Sequence, residues 1–175
     1  MAILPIRVYG DPVLRRIAKP IGEVTPEVRA LAQDMIETMY AEPGIGLAAP
    51  QVGVSLRLIV MDPTAGEETD KAFALVNPVI VAKTGEQVVI EEGCLSVPDI
   101  RADVTRPERV SVDYTTIDGE PARLEADEMV ARIFQHEYDH LDGILFVDRI
   151  SPVRRQLLKK HLKAIAKTAS KRAGR

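Results

Sequence analysis

Apolar positions fall into three regimes along the chain. Val28, Leu31, Met35 and Met39 recur at three- and four-residue intervals, the spacing that gives a helix one apolar face. Thr25-Pro26-Glu27 supplies a start: Thr25 is the N-cap, and Pro26 stands in the first turn, where its missing N–H costs nothing. Pro43-Gly44 ends the pattern. The period then changes. Segments 56–61, 74–81 and 87–90 are rich in Val, Ile and Leu, and 110–117 alternates apolar with polar residues. Asp118-Gly119 is a hairpin turn signal leading into 122–126. Pro78, Pro98 and Pro107 predict edges or bends in these strands. Helical spacing returns over about 127–141, with Met129, Val130, Ile133, Phe134 and Leu141 facing inward. Ser151-Pro152 begins a last helix with Val153, Leu157, Leu158, Leu162 and Ile165 on one side. The predicted class is α+β: mostly antiparallel sheets packed around the central helix at 127–141, with a C-terminal helix.

Composition bounds this picture without changing it. A chain of 175 residues, 46% hydrophobic and 28% charged, suits one globular domain. No apolar run approaches the roughly 20 residues needed to span a bilayer. The start, MAILPIRVYGDPVLRR, lacks a secretory pattern, so a cytoplasmic protein is expected. The single cysteine, Cys94, cannot form an internal disulfide. It is either a buried apolar thiol, the common fate of a lone Cys, or a ligand or nucleophile. The net charge of −3 conceals an asymmetry. Nine of the 23 Lys and Arg residues lie in 151–175, which holds no Asp or Glu. A basic end on an acidic body points to an anionic partner, with a solvated helix as the plain alternative.

The chemistry is densest in the central helix. His136-Glu137-Tyr138-Asp139-His140 is an HExxH motif and holds two of the three histidines. Residues four apart share a helix face, so both imidazoles can reach one metal ion, and Glu137 beside them can take a proton from water held there. A catalytic centre of this type needs a third protein ligand. No Glu follows Glu137, which removes the thermolysin arrangement, and Phe146 stands where a metzincin would carry its third His. His161 lies in the basic C-terminal helix, where ordinary surface exposure is expected. Cys94, in EGCLSVP directly after an apolar strand, is the best third ligand, because thiolates bind both iron and zinc. A Cys–His nucleophile pair would leave the HExxH spacing unexplained.

A third segment, Gly44-Ile45-Gly46-Leu47-Ala48-Ala49-Pro50-Gln51, offers small residues for close packing and the Gln51 amide as a donor. It is not a phosphate-binding loop, since no GK[ST] follows. Together GIGLAAPQ at 44–51, EGCLS at 92–96 and QHEYDHLDG at 135–143 resemble peptide deformylase, whose family shows GφGφAAxQ, EGCφS and QHExDHLxG in that order. The resemblance runs from ILPIRVYGDPVLR near the start to ILFVDRIS near residue 151. It makes 1–150 a deformylase-like catalytic domain and 151–175 the basic helix and tail of that same domain.

The resemblance implies removal of the formyl group from N-formyl-methionyl nascent polypeptides. It implies Cys94, His136 and His140 as ligands of one divalent metal, with Fe2+ the precedent in the cell and Zn2+ or another divalent ion an alternative. It places the general acid/base on Glu137, the oxyanion donors on the Gln51 amide and the Leu95 N–H, and a main-chain contact to substrate on Gly46. Ile45, Ile90, Met129 and Ile133 are candidate walls for the methionine side chain, and Arg101 is a candidate contact to the peptide; each could equally be core or ordinary surface. The basic C-terminal helix implies docking at the ribosome near the polypeptide exit, with no membrane and no sequence-specific nucleic acid as partner. A general metallopeptidase is the competing expectation, weakened by the missing downstream Glu and by Cys94.

Overall fold

The computed structural model describes residues 2–68 and 70–173. Three helices, α1 (Pro26–Ala41), α2 (Glu128–Leu141) and α3 (Pro152–Ala173), surround a five-stranded sheet. The strands are β1 (Gly46–Ala48), β2 (Leu58–Met61), β3 (Phe73–Cys94), β4 (Val97–Thr115) and β5 (Pro121–Asp127). They pair in chain order, each neighbour antiparallel to the last. The α+β expectation therefore holds, with the HExxH helix at the centre.

β2 explains how the layers form. All four of its residues are buried. Ile59 and Met61 meet Ile133, Phe134 and Leu141 of α2, while Leu58 and Val60 meet Met35 and Met39 of α1. A strand covered on both faces has no need to alternate, which is why Leu58–Met61 is a continuous apolar run. The Thr25 side chain accepts from the Val28 N–H at 3.4 Å, capping α1 as its sequence predicts.

β3 and β4 depart from expectation. The segments at 74–81 and 87–90 belong to one long strand, and β4 begins at Val97, well before the alternation at 110–117. Ile100, Ala102, Val104 and Arg106 point inward at a period of two, with exposed residues between them. Pro98 stands at the start of β4, and the other two prolines mark bends within the ladder. Pro78 lies inside the register shift between Val76 and Val79, and Pro107 pairs with Gln87 just past the shift that begins at Thr84. Gly119, at φ 90°, turns β4 into β5 as its sequence predicts.

The C-terminal helix starts where expected, and the Ser151 Oγ accepts from the Arg154 N–H. Its buried face differs. Leu162, Ile165 and Ala169 are buried and Leu158 is partly so, but Val153 and Leu157 are 73% and 70% exposed. The core cluster of Leu14, Val104 and Phe146 lies under the middle of α3 and receives Leu162 and Ile165. Leu157 precedes Leu158 by one residue, about 100° around the helix, and so turns to solvent. Among the described residues, no helix is long and apolar enough to cross a membrane.

Candidate active site

α2 runs into the core beside the end of β3, and this junction gathers the chemistry. His136 and His140 stand one turn apart, ring centroids 5.3 Å from each other. β3 ends at Cys94, whose Sγ lies 3.4 Å from His140 Nε2. One ligand atom from each of Cys94, His136 and His140 lies within 4.8 Å of the others. Two imidazole nitrogens and a sulfur at this separation fit one borderline-soft divalent cation, with bonds of about 2.0–2.3 Å. Glu137 Oε2 is buried with no protein partner. Glu137 lines the same cavity as Cys94 and His136. An orphaned carboxylate oxygen there is suited to receive a proton from a molecule in the cavity.

The electrostatics divide the labour. Burial pushes the Glu137 carboxyl up to about 7, the range in which a carboxylate can both accept and return a proton. Burial also holds His140 well below an ordinary imidazole, keeping it in the neutral form that ligates metals. For Glu92, burial alone would raise the carboxyl, but hydrogen bonds from His136 and Arg106 outweigh it and hold the group ionised.

Glu92 anchors an ionic network that sequence reasoning missed. Its Oε1 lies 2.8 Å from His136 Nδ1. Arg106 bonds it through Nε and a terminal nitrogen at 2.7 and 3.0 Å, and Arg132 adds a bond at 2.8 Å. Arg106 also reaches Asp139 at 2.8 Å, and Arg149 closes on the same carboxylate at 2.5 and 2.7 Å. Signals for these residues did exist. Glu92 and Asp139 sit inside the two metal motifs, and Arg106 continues the inward alternation of β4.

The remaining predicted residues converge. Gln51 lies in a 3-10 turn (Ala49–Val52), and its Oε1 accepts from the Ala48 N–H at 2.9 Å. That fixes the amide so that Nε2 faces Cys94 Sγ at 3.5 Å and Ser96 Oγ at 3.2 Å. Gly46 lies on β1 against α2. A β-carbon there would sit 2.9 Å from Glu137 Cγ, Glu137 Oε1 and Ile133 Cγ2, so only glycine lets the strand approach so closely. Ile45, Gly46, Gln51, Ile90, Leu95, Arg101, Met129 and Ile133 all line one cavity of about 690 Å³ with Cys94, His136 and Glu137. His140 is buried and touches that wall at Cys94. Met129 is 43% exposed, so it edges the cavity rather than filling core. His161, as expected, is exposed on α3.

Known proteins resemble this chain in sequence and fold. The family model of polypeptide deformylases matches residues 3–156. The peptide deformylase of Acinetobacter baumannii is 49% identical over 167 residues, covering 95% of this chain and 94% of that protein. That of Acidobacterium capsulatum is 48% identical over 163 residues, covering 93% and 95%. Among solved structures, the Thermotoga maritima peptide deformylase is 46% identical with a TM-score of 0.81, covering 87% of this chain and all of that one. The Synechococcus elongatus enzyme in complex with actinonin is 43% identical with a TM-score of 0.87, covering 97% and 92%. With the motifs, the fold and the Cys-His-His cluster in agreement, the chain belongs to the peptide deformylase family.

Proposed function

We propose that this chain hydrolyses the N-formyl group of formyl-methionyl nascent polypeptides, releasing formate and a free amine, through the residues gathered around Cys94. The observation that carries the assignment of roles is the orphaned Glu137 oxygen beside a partly buried Cys-His-His cluster. Cys94, His136 and His140 would hold the metal, ferrous iron in the cell by family precedent and zinc as the alternative. A divalent cation there supplies Lewis acidity, polarising the formyl oxygen and lowering the pKa of water.

The chain's own groups do the rest. Glu137 takes a proton from the attacking water as oxygen bonds to the formyl carbon. It returns that proton to the nitrogen as the C–N bond breaks. On this reading the Gln51 amide, held by the Ala48 N–H, and the Leu95 N–H donate to the developing oxyanion. On the same reading the Gly46 main chain, against Glu137, aligns the peptide. Ile45, Ile90, Ile133 and Met129 offer an apolar wall for methionine, and Arg101 at the exposed edge can meet the chain beyond it. Metal-loaded protein should release formate from a formyl-Met peptide and leave internal peptide bonds intact. Internal cleavage would support a general metallopeptidase instead.

The same reading takes residues 151–175 as part of the catalytic domain, supported by the burial of Leu162 and Ile165 against Leu14 and Phe146. It places the protein in the cytoplasm, where a lone free thiol ligand persists. It takes α3 as a ribosome-docking surface: Arg154, Lys159, Lys160, Lys163 and Lys167 are exposed, beside the uncovered Val153 and Leu157. Arg175 lies outside the described residues.

A further inference from the structure

We infer that the N-terminal arm, through the main-chain N–H groups of Arg7 and Tyr9, sets the separation of the two oxyanion donors, the Gln51 amide and the Leu95 N–H. The inference rests on the deformylase reading, which puts those two groups on the formyl oxygen. They come from segments that no ladder joins. Gln51 follows β1, an edge strand paired with β2, and Leu95 lies in the turn between β3 and β4. Across the gap the Gln51 side chain reaches Cys94 Sγ and Ser96 Oγ, at 3.5 and 3.2 Å. That link runs through the very amide that must be held still, so the two backbones need a brace of their own.

The arm supplies it. The Arg7 N–H donates to the Gln51 carbonyl and the Tyr9 N–H to the Ser96 carbonyl, each at 2.7 Å. Residues two apart in an extended chain face the same side, so one short stretch bonds both segments at once. Gln51 and Ser96 are 1% and 0% exposed, and a buried carbonyl stripped of its donor is costly. Side chains repeat the bridge. Leu4 and Ile6 pack on the cluster that holds Leu47 and Leu95, while Val8 and Tyr9 pack on the one that holds Cys94 and Val97. Before the bridge, the Leu4 N–H donates to Thr38 Oγ1 at 2.9 Å and ties the arm to α1. After it, Gly10 backs onto α3, where a β-carbon would lie 2.7 Å from Ala166 Cα. The arm is thus fastened at both ends, and its middle holds the donor segments at a fixed spacing.

Spacing of this kind acts on turnover more than on binding. A displaced donor still lets substrate bind but loses part of its hold on the charge that develops afterwards. Arg7 and Tyr9 line no part of the catalytic cavity, so both are positioning residues.

The test replaces each N–H by an ester oxygen in the metal-loaded full chain. The α-hydroxy acid analogue of lysine at position 7 is compared with Arg7→Lys, and that of tyrosine at position 9 with wild type. Each ester keeps the side chain and removes one bond. Formate release from a formyl-Met peptide, metal content and Tm are followed together. Each ester should lower kcat by about tenfold, with KM within about twofold and metal still near one per chain. In a Gln51→Ala background the position-7 ester should cost no more than about twofold, because the donor it positions is already gone. The position-9 ester should keep its effect there, since the Leu95 N–H remains. A lowered Tm with unchanged kcat overturns the inference, as does a loss at position 7 that is the same with and without Gln51. Failure of both esters to fold makes the arm a folding element only and overturns it too. Failure of wild type and Arg7→Lys to release formate overturns the deformylase reading itself, and this inference with it.

Discussion

The Glu92 carboxylate meets His136 Nδ1 at 2.8 Å, on the far side of the ring from the nitrogen available to a metal. This bond fixes the ring's orientation and the proton on Nδ1, leaving Nε2 to ligate. Glu92→Ala should therefore weaken metal affinity by about 10- to 100-fold, the usual cost of losing a partner to a ligating histidine. It would also leave Arg106 and Arg132 without their shared carboxylate. Competition with a chelator, followed by the absorption of a cobalt-substituted form, would separate loss of ligand geometry from simple loss of fold. Unchanged affinity would make Glu92 a structural ion-pair partner only.

Glu137→Gln tests proton transfer. The substitution keeps the shape against Gly46 and leaves Cys94, His136 and His140 in place. Bound metal should remain near one per chain, while kcat falls by about 100-fold or more. A variant with full metal and near-normal kcat would remove Glu137 from the proton path.

The third ligand is tested by contrast. Cys94→Ala should lose metal and activity together, whereas His161→Ala should lose neither, since His161 is exposed on α3 away from the cluster. Cys94→Asp should retain some metal through its carboxylate while activity changes. Metal content measured beside turnover for all three variants decides the matter, and the reverse pattern would move the site to α3.

The meeting of His136 and His140, with Glu137 beside them, was legible in the sequence because α2 is helical and HExxH spacing translates directly into one face. α1 was equally legible, since Thr25, Pro26 and the Met35/Met39 pair each act locally. β3 and β4 were not. Their continuity depends on partners far along the chain, and Pro78 and Pro107 are accommodated only because the ladder shifts register around them. Glu92, Arg106 and Asp139 were hidden for a related reason. A charged residue is expected at the surface, and only the tertiary meeting of opposite charges makes its burial tolerable. Val153 and Leu157 erred in the other direction, because nothing local tells an apolar residue that the core ends before it.

Asp148 gives the protein a predicted response to acid. Burial alone would raise its carboxyl, but bonds from Arg15 at 2.5 Å, the Leu145 N–H at 2.9 Å and Arg155 at 3.0 Å hold it below the ordinary value. A depressed carboxylate contributes stability that is present above its unfolded pKa, near 4, and lost as pH falls through the folded value. Asp148→Asn should lower Tm at pH 6. It should also flatten the fall in Tm between about pH 6 and pH 3, relative to wild type. An equally steep acid limb in the variant would assign the acid sensitivity to other carboxylates.

The docking role of α3 needs a test that respects its packing. Leu162, Ile165 and Ala169 are buried, so deleting the helix from its middle onward would open the core and confound binding with unfolding. Charge substitution avoids this. Lys159, Lys160, Lys163 and Lys167 are exposed, and no Asp or Glu lies between Ser151 and Arg175 to offset them. Replacing the four lysines with Gln should leave Tm and the hydrolysis of a short formyl-Met peptide close to wild type. Co-sedimentation with ribosomes at low salt should fall, and the dependence of binding on log salt should become shallower by several units, since each lysine that contacts a phosphate releases counterions. A companion Leu157→Ser variant asks whether the uncovered apolar residue contributes, in which case binding weakens with the salt slope unchanged. Equal sedimentation of the four-lysine variant and wild type across a salt series would make α3 a solvated helix whose only interactions are with its own core.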